Sequence, residues 1–208
     1  MNPTLFCTLL CDGTSDKRLE PILKWVIQQS AIAFATQFST HKANTRVSFP
    51  LRIEEVLRLY PNTDLLFVHR DAEREPIVAR IQEIRDAVES SGTGYPIIPV
   101  VPVRMTAAWL LFDEYAIRRA AGNPNGRTSL TLPRISTLES LPTPKEVLAS
   151  LLTEASGLSA HRRRHVNLSQ MAHLVPEFIT DFSPLRHLTA FQALEAELLS
   201  VLHTQGWA

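Results

Sequence analysis

Short apolar runs alternate along this chain with longer segments of helical periodicity, and an aspartate follows two of the runs within two residues. Residues 4–11 are typical of a buried strand, and so are residues 64–69. Asp12 follows the first run and Asp71 follows the second. Strands that alternate with helices usually pair in parallel and are covered by helices on both faces. The pattern therefore predicts an α/β fold with a mainly parallel sheet flanked by helices.

The other segments are assigned from their periodicity and their turn residues. Residues 97–103 form a third apolar strand, which Pro99 and Pro102 make irregular or place at a sheet edge. Residues 39–50 are polar and are predicted to form a loop, and residues 122–145 an irregular excursion. The spacing predicts helices over residues 16–35, with a bend at Pro21, and over 52–60, 74–88, 106–121 with Thr106 as N-cap, 144–155 and 184–202.

The chain length bounds the number of domains. With 208 residues, the chain suits one domain with a modest appendage. We assign residues 1–121 to the α/β core and residues 122–208 to the irregular excursion and a helical C-terminal extension that packs on the core.

Trp109 lies in an apolar stripe with Leu110 and Leu111, so we expect it in the core.

Charge and cysteine content restrict the partners and the compartment. The 21 basic residues balance 21 acidic ones, so the chain as a whole has no strong attraction for nucleic acid, although a local patch can bind phosphates. Cys7 and Cys11 would lie about 13 Å apart on one strand face, too far for a disulfide. Reduced cysteines fit a cytoplasmic protein.

We find no signal peptide and no apolar run of the ~20 residues that cross a membrane.

The candidate site residues lie where strands end. In parallel sheets the active groups gather at the carboxyl ends of strands, so we expect Asp12 and Asp71 to converge there as metal ligands and catalytic groups. Each could instead be a local cap or a turn residue. His69 is a candidate ligand or proton shuttle, or a hydrogen-bonded strand-end histidine. Glu73 is a candidate ligand or a solvated helix-start acid. Asp16 is expected to be a first-turn acid that the helix dipole stabilises, with a role in the site as the alternative.

Two basic features are candidates for nucleic-acid binding. Arg104 precedes a predicted helix, where it could contact a phosphate or form an ion pair with a nearby acid. The densest basic run, residues 161–165, holds Arg162, Arg163 and Arg164. This run could follow a nucleic-acid backbone, bind an acidic partner surface or be solvated. It has no interleaved aromatic residues, so base stacking is not indicated.

The order of these motifs resembles that of TOPRIM domains, and of small TOPRIM-like proteins encoded beside ABC-type ATPases in bacterial defence loci. The stretch from Cys11 to Asp16 is similar to the Glu-Gly-x-Ser-Asp start of OLD-type TOPRIM nucleases. His69 to Glu73 resembles the later Asp-x-Asp motif, and residues 102–111 resemble a segment of the small relatives. Three residues depart from the family pattern. Asp12 stands where TOPRIM proteins usually have Glu, and His69 stands where the first Asp of the Asp-x-Asp motif usually stands. Ala107 occupies a position where we expect Glu in the small relatives.

The resemblance implies a TOPRIM/Rossmann-like core and a metal-dependent nuclease that cuts DNA or RNA. The protein would be the effector of an anti-phage defence system and would have an ABC-type ATPase partner. Asp12, Asp71 and Glu73 would then hold Mg²⁺ or Mn²⁺. The three departures each remove or shorten a hard oxygen ligand, which Mg²⁺ needs. The alternative is therefore a catalytically decayed TOPRIM-like subunit that binds a partner ATPase or nucleic acid. Under the first hypothesis, a Glu at position 107 should strengthen metal binding.

Overall fold

The computed structural model describes residues 4–30, 34–163 and 165–207. Its strands are β1 (Thr4–Cys11), β2 (Ala35–Lys42), β3 (Leu65–His69) and β4 (Ile97–Val100). They form one sheet in the order β2-β1-β3-β4, and every neighbouring pair is parallel. The predicted α/β fold with a parallel sheet flanked by helices is confirmed.

Helices connect the strands and continue to the end of the described chain. In the described ranges, four short 3₁₀ segments interrupt the sequence of α-helices, at Thr14–Arg18, Thr106–Leu110, Ile135–Ser140 and Ser183–His187. The α-helices among the described residues are α1 (Leu19–Gln29), α2 (Phe49–Leu59), α3 (Ile77–Ser91), α4 (Glu114–Ala120), α5 (Pro144–Ala155), α6 (Ala160–Arg163), α7 (Leu168–Phe178) and α8 (Thr189–Thr204).

The two central strands are apolar on both faces because helices cover both faces of the sheet. Leu9 and Phe67 belong to an apolar cluster that includes α1, whereas Leu10 and Val68 belong to a second cluster with α2 and α3. Successive residues of a strand point to opposite faces. Strands buried in this way therefore show a continuous apolar run instead of an alternation.

The cluster on the α1 face also contains most of the C-terminal helices. Trp109 is fully buried, as predicted, and its ring meets Phe191 of α8 edge-on at 5.5 Å between ring centroids. Val175 of α7 and Leu152 of α5 are buried in the same cluster. The segment after residue 121 thus shares its apolar core with the sheet.

The strand order creates a switch point between β1 and β3. The chain leaves β1 to form β2 on one side, and β3 then pairs with β1 on the other side. In open parallel sheets, ligands bind outside the carboxyl ends of the strands at such a point. The residues that follow β1 and β3 begin with Asp12 and Arg70, so the predicted site residues lie at this edge of the sheet.

Several predicted boundaries were wrong. Residues 39–42, predicted as loop, are the second half of β2. This strand lies at the sheet edge and is partly exposed, so its sequence lacks the apolar run that marks β1. The helix predicted over 16–35 ends at Gln29, and Pro21 lies in its first turn, where a proline costs no hydrogen bond. Helix α7 was not predicted.

The predicted helix over residues 106–121 is two elements. A 3₁₀ helix covers Thr106–Leu110, and α4 begins only at Glu114. Asp113 caps α4, because its Oδ1 accepts a hydrogen bond of 2.9 Å from the backbone N–H of Ala116. Met105, not Thr106, occupies the N-cap position of the 3₁₀ helix.

The two cysteines are free and buried, as predicted. Burial, reinforced by Asp64 near Cys7 and by Asp16 near Cys11, raises the pKa of each thiol to about 12. Both thiols are therefore protonated and unreactive at neutral pH.

Among the described helices, none has the length and apolar character to cross a membrane.

Ala107 lies in the core and does not face the strand-end site. It is 4% exposed and belongs to the apolar cluster with Trp109. We therefore expect Ala107→Glu to destabilise the fold by about 3 kcal/mol or more, because it buries a carboxylate without a partner. Ala79→Glu on the exposed side of α3 is the matched control and should change stability by less than about 0.5 kcal/mol. Urea unfolding measures both; equal stabilities would contradict the core placement.

Candidate functional site

A buried histidine lies at the centre of the strand-end site. His69 is the last residue of β3 and is 3% exposed. Its Nδ1 lies 3.4 Å from Oδ2 of Asp16, and its Nε2 lies 3.2 Å from Oδ1 of Asp71. The imidazole therefore lies between two carboxylates, one from the turn after β1 and one from the turn after β3.

The turn after β1 is built to hold the Asp16 carboxylate. The backbone N–H of Gly13 donates to Oδ2 of Asp16 at 2.8 Å, and the Ser15 hydroxyl donates to its Oδ1 at 2.9 Å. A Cβ at position 13 would lie 3.2 Å from that Oδ2. Glycine suits this position because the carboxylate approaches the backbone closely. Asp16 lies in the first turn of the 3₁₀ helix Thr14–Arg18, as predicted, and it is also a buried residue of the site.

The 3₁₀ helix after β4 completes the surroundings of the histidine. The backbone N–H of Thr106 donates to Oδ1 of Asp71 at 2.9 Å, and the Thr106 hydroxyl lies 3.2 Å from Nε2 of His69. Three strand ends therefore meet at one imidazole. Thr106, and not its neighbour Ala107, is the residue of this segment that reaches the site.

The charges of this group are coupled. Burial by itself lowers the pKa of His69, but hydrogen bonds and charge attraction from Asp16 and Asp71 outweigh it and raise the pKa to about 9. Burial raises the pKa of Asp16, but His69, the Gly13 N–H and the Ser15 hydroxyl outweigh that effect and lower it. Both shifts favour an imidazolium next to the Asp16 carboxylate.

Asp12 has separate partners. Its Oδ1 accepts a hydrogen bond of 2.9 Å from Arg52 of α2, and its Oδ2 lies 3.2 Å from Nε of Arg70. Arg52 is fixed further by the carbonyl oxygens of Val47 and Thr45. The Asp12 carboxylate is thus held between two guanidinium groups, and it accepts no hydrogen bond from His69 or Thr106 in the described part of the chain.

These residues do not fit a divalent metal site. Asp12 and Asp71 follow neighbouring strands at the same sheet edge, but each carboxylate is paired with cations or donors of the protein itself. No group of three His, Cys, Asp or Glu side chains that could hold a metal ion is present among the described residues. To bind a metal ion, each carboxylate would first have to release its partner in the protein. Mg²⁺ also needs several oxygen ligands in near-octahedral geometry.

Glu73 follows Asp71 by two residues, and Arg104 precedes Thr106 by two. Both line a cavity that His69, Asp16 and Asp71 do not line. Both residues have left-handed backbone conformations, with φ of 54° and 63°, and the N–H of Glu73 donates to the Arg104 carbonyl at 3.1 Å. Such conformations cost of order 1–3 kcal/mol each and cluster at functional sites. The cavity has a volume of about 430 Å³ and is lined by Glu73, Arg74, Glu75, Arg80, Arg104, Met105 and Pro142.

The basic run is only partly described. His161 and Arg162 are exposed in the short helix α6. Arg164 and the side chain of Arg163 lie outside the described residues. Within the described structure, no hydrogen bond or ion pair connects His161 or Arg162 to the group around His69, so the nucleic-acid role predicted for this run stays a prediction.

Sequence reasoning missed three residues of the site and ranked a fourth too low. It assigned no role to Arg52 or Arg70, it predicted Thr106 as a helix cap, and it favoured a first-turn role for Asp16 over a role in the site. Arg70 and Asp16 each lie within four residues of a predicted site aspartate, so proximity to the strand end was an available signal. For Arg52 no local signal exists, because it meets Asp12 from 40 positions away.

Known proteins offer no guide to this site: no family model, no curated protein and no solved structure matches the chain.

The buried histidine predicts a specific pH dependence of stability. Its pKa is raised from 6.5 to about 9 on folding, so the imidazolium stabilises the fold fully below about pH 6.5 and ceases to do so as the pH rises through about 9. The shift corresponds to about 3 kcal/mol. Asp16, whose pKa is lowered, acts oppositely, and its contribution is lost only as the solution becomes acidic.

We expect the unfolding free energy of the wild type to fall by about 3 kcal/mol between about pH 6 and pH 10 relative to that of His69→Gln. Urea titrations at a series of pH values measure it. His203→Gln, at an exposed position of α8, is the control and should keep the wild-type slope. A His69→Gln variant with the wild-type pH dependence would show that this histidine is neutral in the folded protein.

Proposed function

We propose that this chain is a catalytically decayed TOPRIM-like subunit that binds the sugar-phosphate backbone of a nucleic acid at the switch-point edge of its sheet. The observation that carries the proposal is the pairing of each site aspartate with a cation of the same chain. Arg52 and Arg70 hold Asp12, and the His69 imidazolium holds Asp71. Protein cations thus occupy the positions around these acids that divalent ions would need in a nuclease.

The arginine-lined cavity beside the site supports a phosphate ligand. Arg74 and Arg104 both line it, and within the described structure neither forms an ion pair. Guanidinium groups bind phosphate oxygens in a bidentate manner. Glu73 and Glu75 line the same cavity and oppose an anion, so we expect modest and salt-sensitive affinity, which agrees with the zero formal net charge of the chain.

The resemblance supplies the setting of the proposal. It implies an ABC-type ATPase as protein partner and a bacterial anti-phage defence system as context. A cytoplasmic location fits the two buried free thiols Cys7 and Cys11. These statements rest on the resemblance and on the cysteines, and each would be tested by isolating the protein from its host with its partners.

A second candidate is the metal-dependent nuclease. Its support is that Asp12 and Asp71 follow adjacent strands at the switch point and keep 34% and 29% of their side-chain surface exposed. A cation from solvent can therefore reach both carboxylates. This function requires Arg52, Arg70 and His69 to release them.

Metal titration separates the two candidates. We expect calorimetry to detect no Mg²⁺ or Mn²⁺ binding to the wild type at micromolar concentration, and no metal-dependent cleavage of DNA or RNA. His69→Asp removes the internal cation and places a third carboxylate beside Asp16 and Asp71, so this variant should gain divalent-ion binding and be stabilised by the metal. Tight metal binding and cleavage by the wild type would establish the nuclease instead.

Salt-dependent binding tests the arginine contacts. We expect Arg74→Ala and Arg104→Asn each to weaken binding of single- and double-stranded oligonucleotides and to reduce the slope of log affinity against log salt by about 1. Asparagine is chosen at position 104 because it tolerates the left-handed backbone. Arg58→Ala, at the exposed end of α2, is the control. If all four proteins bind alike, or none binds, the nucleic-acid proposal is wrong.

A further inference from the structure

Arg18 is buried without a partner. It ends the 3₁₀ turn Thr14–Arg18 and is 6% exposed. Its Nε is buried and has no hydrogen-bond partner, and no carboxylate of the described residues forms an ion pair with its guanidinium. Arginines are almost never buried in this way unless they are paired, because desolvating an unpaired charge is costly. The guanidinium of Arg18 is therefore available to a counter-charge from solution.

A cavity of about 290 Å³ lies against Arg18. It is far larger than the roughly 30 Å³ that one water occupies, and close to the lower limit of about 300 Å³ for small-molecule sites. Residues of the turn after β1, of α5 and of α7 form its wall. Its polar lining consists of Thr14, Ser15, Arg18, Lys145 and Ser169, and its apolar lining of Leu148, Ala149, Leu168 and Ala172.

The charges at this cavity favour an anion. Arg18 and Lys145 line it, and the lining contains no acidic residue. Asp16 is the acid that acts on Arg18 by charge, but its oxygens accept hydrogen bonds from Gly13 and Ser15. Burial lowers the pKa of Arg18, and the positive field of Arg18 adds to burial in lowering the pKa of His173 on α7.

The number of donors distinguishes phosphate from carboxylate. A phosphoryl group carries a charge of about −1.5 to −2 and three acceptor oxygens, whereas a carboxylate carries one charge and two oxygens. Arg18 and Lys145 supply two cations, and the hydroxyls of Thr14 and Ser169 add donors that have no partner among the described residues. Ser15 donates its proton to Asp16 and is not counted.

We propose that the cavity beside Arg18 binds the phosphoryl group of a small phosphate monoester. The guanidinium fork of Arg18 contacts two phosphate oxygens, and Lys145 from the mouth of the cavity contacts the third. The apolar wall around Leu148 and Ala172 packs against the carbon skeleton of the ligand, so a monoester binds more tightly than inorganic phosphate does. His69, Arg74 and Arg104 do not line this cavity, and its ligand does not depend on the nucleic-acid proposal.

The test is calorimetric titration of the full chain with ribose 5-phosphate, inorganic phosphate and ribose. We expect ribose 5-phosphate to bind best, inorganic phosphate more weakly and ribose not at all. Arg18→Met should weaken ribose 5-phosphate binding by about ten- to a hundredfold, the usual effect of removing a hydrogen bond to a charged group. Arg58→Met, at an exposed position outside the cavity, should bind like the wild type.

A thermal-shift measurement separates binding from folding. Because Arg18→Met removes a buried unpaired charge, its Tm without ligand should equal or exceed that of the wild type, while ribose 5-phosphate should no longer raise it. If that variant fails to fold, Lys145→Ala, at an exposed position, should still lose affinity severalfold. Equal binding of ribose and ribose 5-phosphate, no binding of ribose 5-phosphate at millimolar concentration, or full affinity in both cavity variants would overturn the proposal.

Discussion

The imidazolium of His69 organises the functional edge of this protein. It joins Asp16 after β1, Asp71 after β3 and Thr106 after β4, so one buried cation ties three strand ends together. Two carboxylates close together in a buried site repel each other, and the histidine removes that repulsion by lying between them. If it were lost, the turn after β1 and the 3₁₀ helix after β4 would lose their common partner.

The same edge shows how charge is distributed when Asp12, Asp16 and Asp71 each have a protein partner. Arg52 and Arg70 hold Asp12 on the α2 side, and His69 holds Asp16 and Asp71 on the other. Asp12 and Asp71 keep 34% and 29% of their side-chain surface exposed, so these ion pairs are only partly desolvated. Each carboxylate is nonetheless held by a cation of the protein.

The turn after β1 contains one paired and one unpaired charge. Asp16 faces His69, and the turn ends at Arg18, whose guanidinium forms no ion pair in the described structure and lines a cavity. His69 has its counter-charges in the protein, whereas Arg18 forms no ion pair among the described residues.

The sequence by itself determined the α/β class, the strands β1 and β3, the free cysteines and the strand-end location of Asp12 and Asp71. These follow from short-range apolar patterns and from the geometry of parallel sheets. The edge strand β2 escaped prediction because exposure on one side leaves its sequence polar. Only the tertiary structure decided that Arg52 binds Asp12, that Thr106 instead of Ala107 faces the site, and that Arg18 is left unpaired. Each depends on side chains brought together from distant positions, which no local pattern in a single sequence encodes.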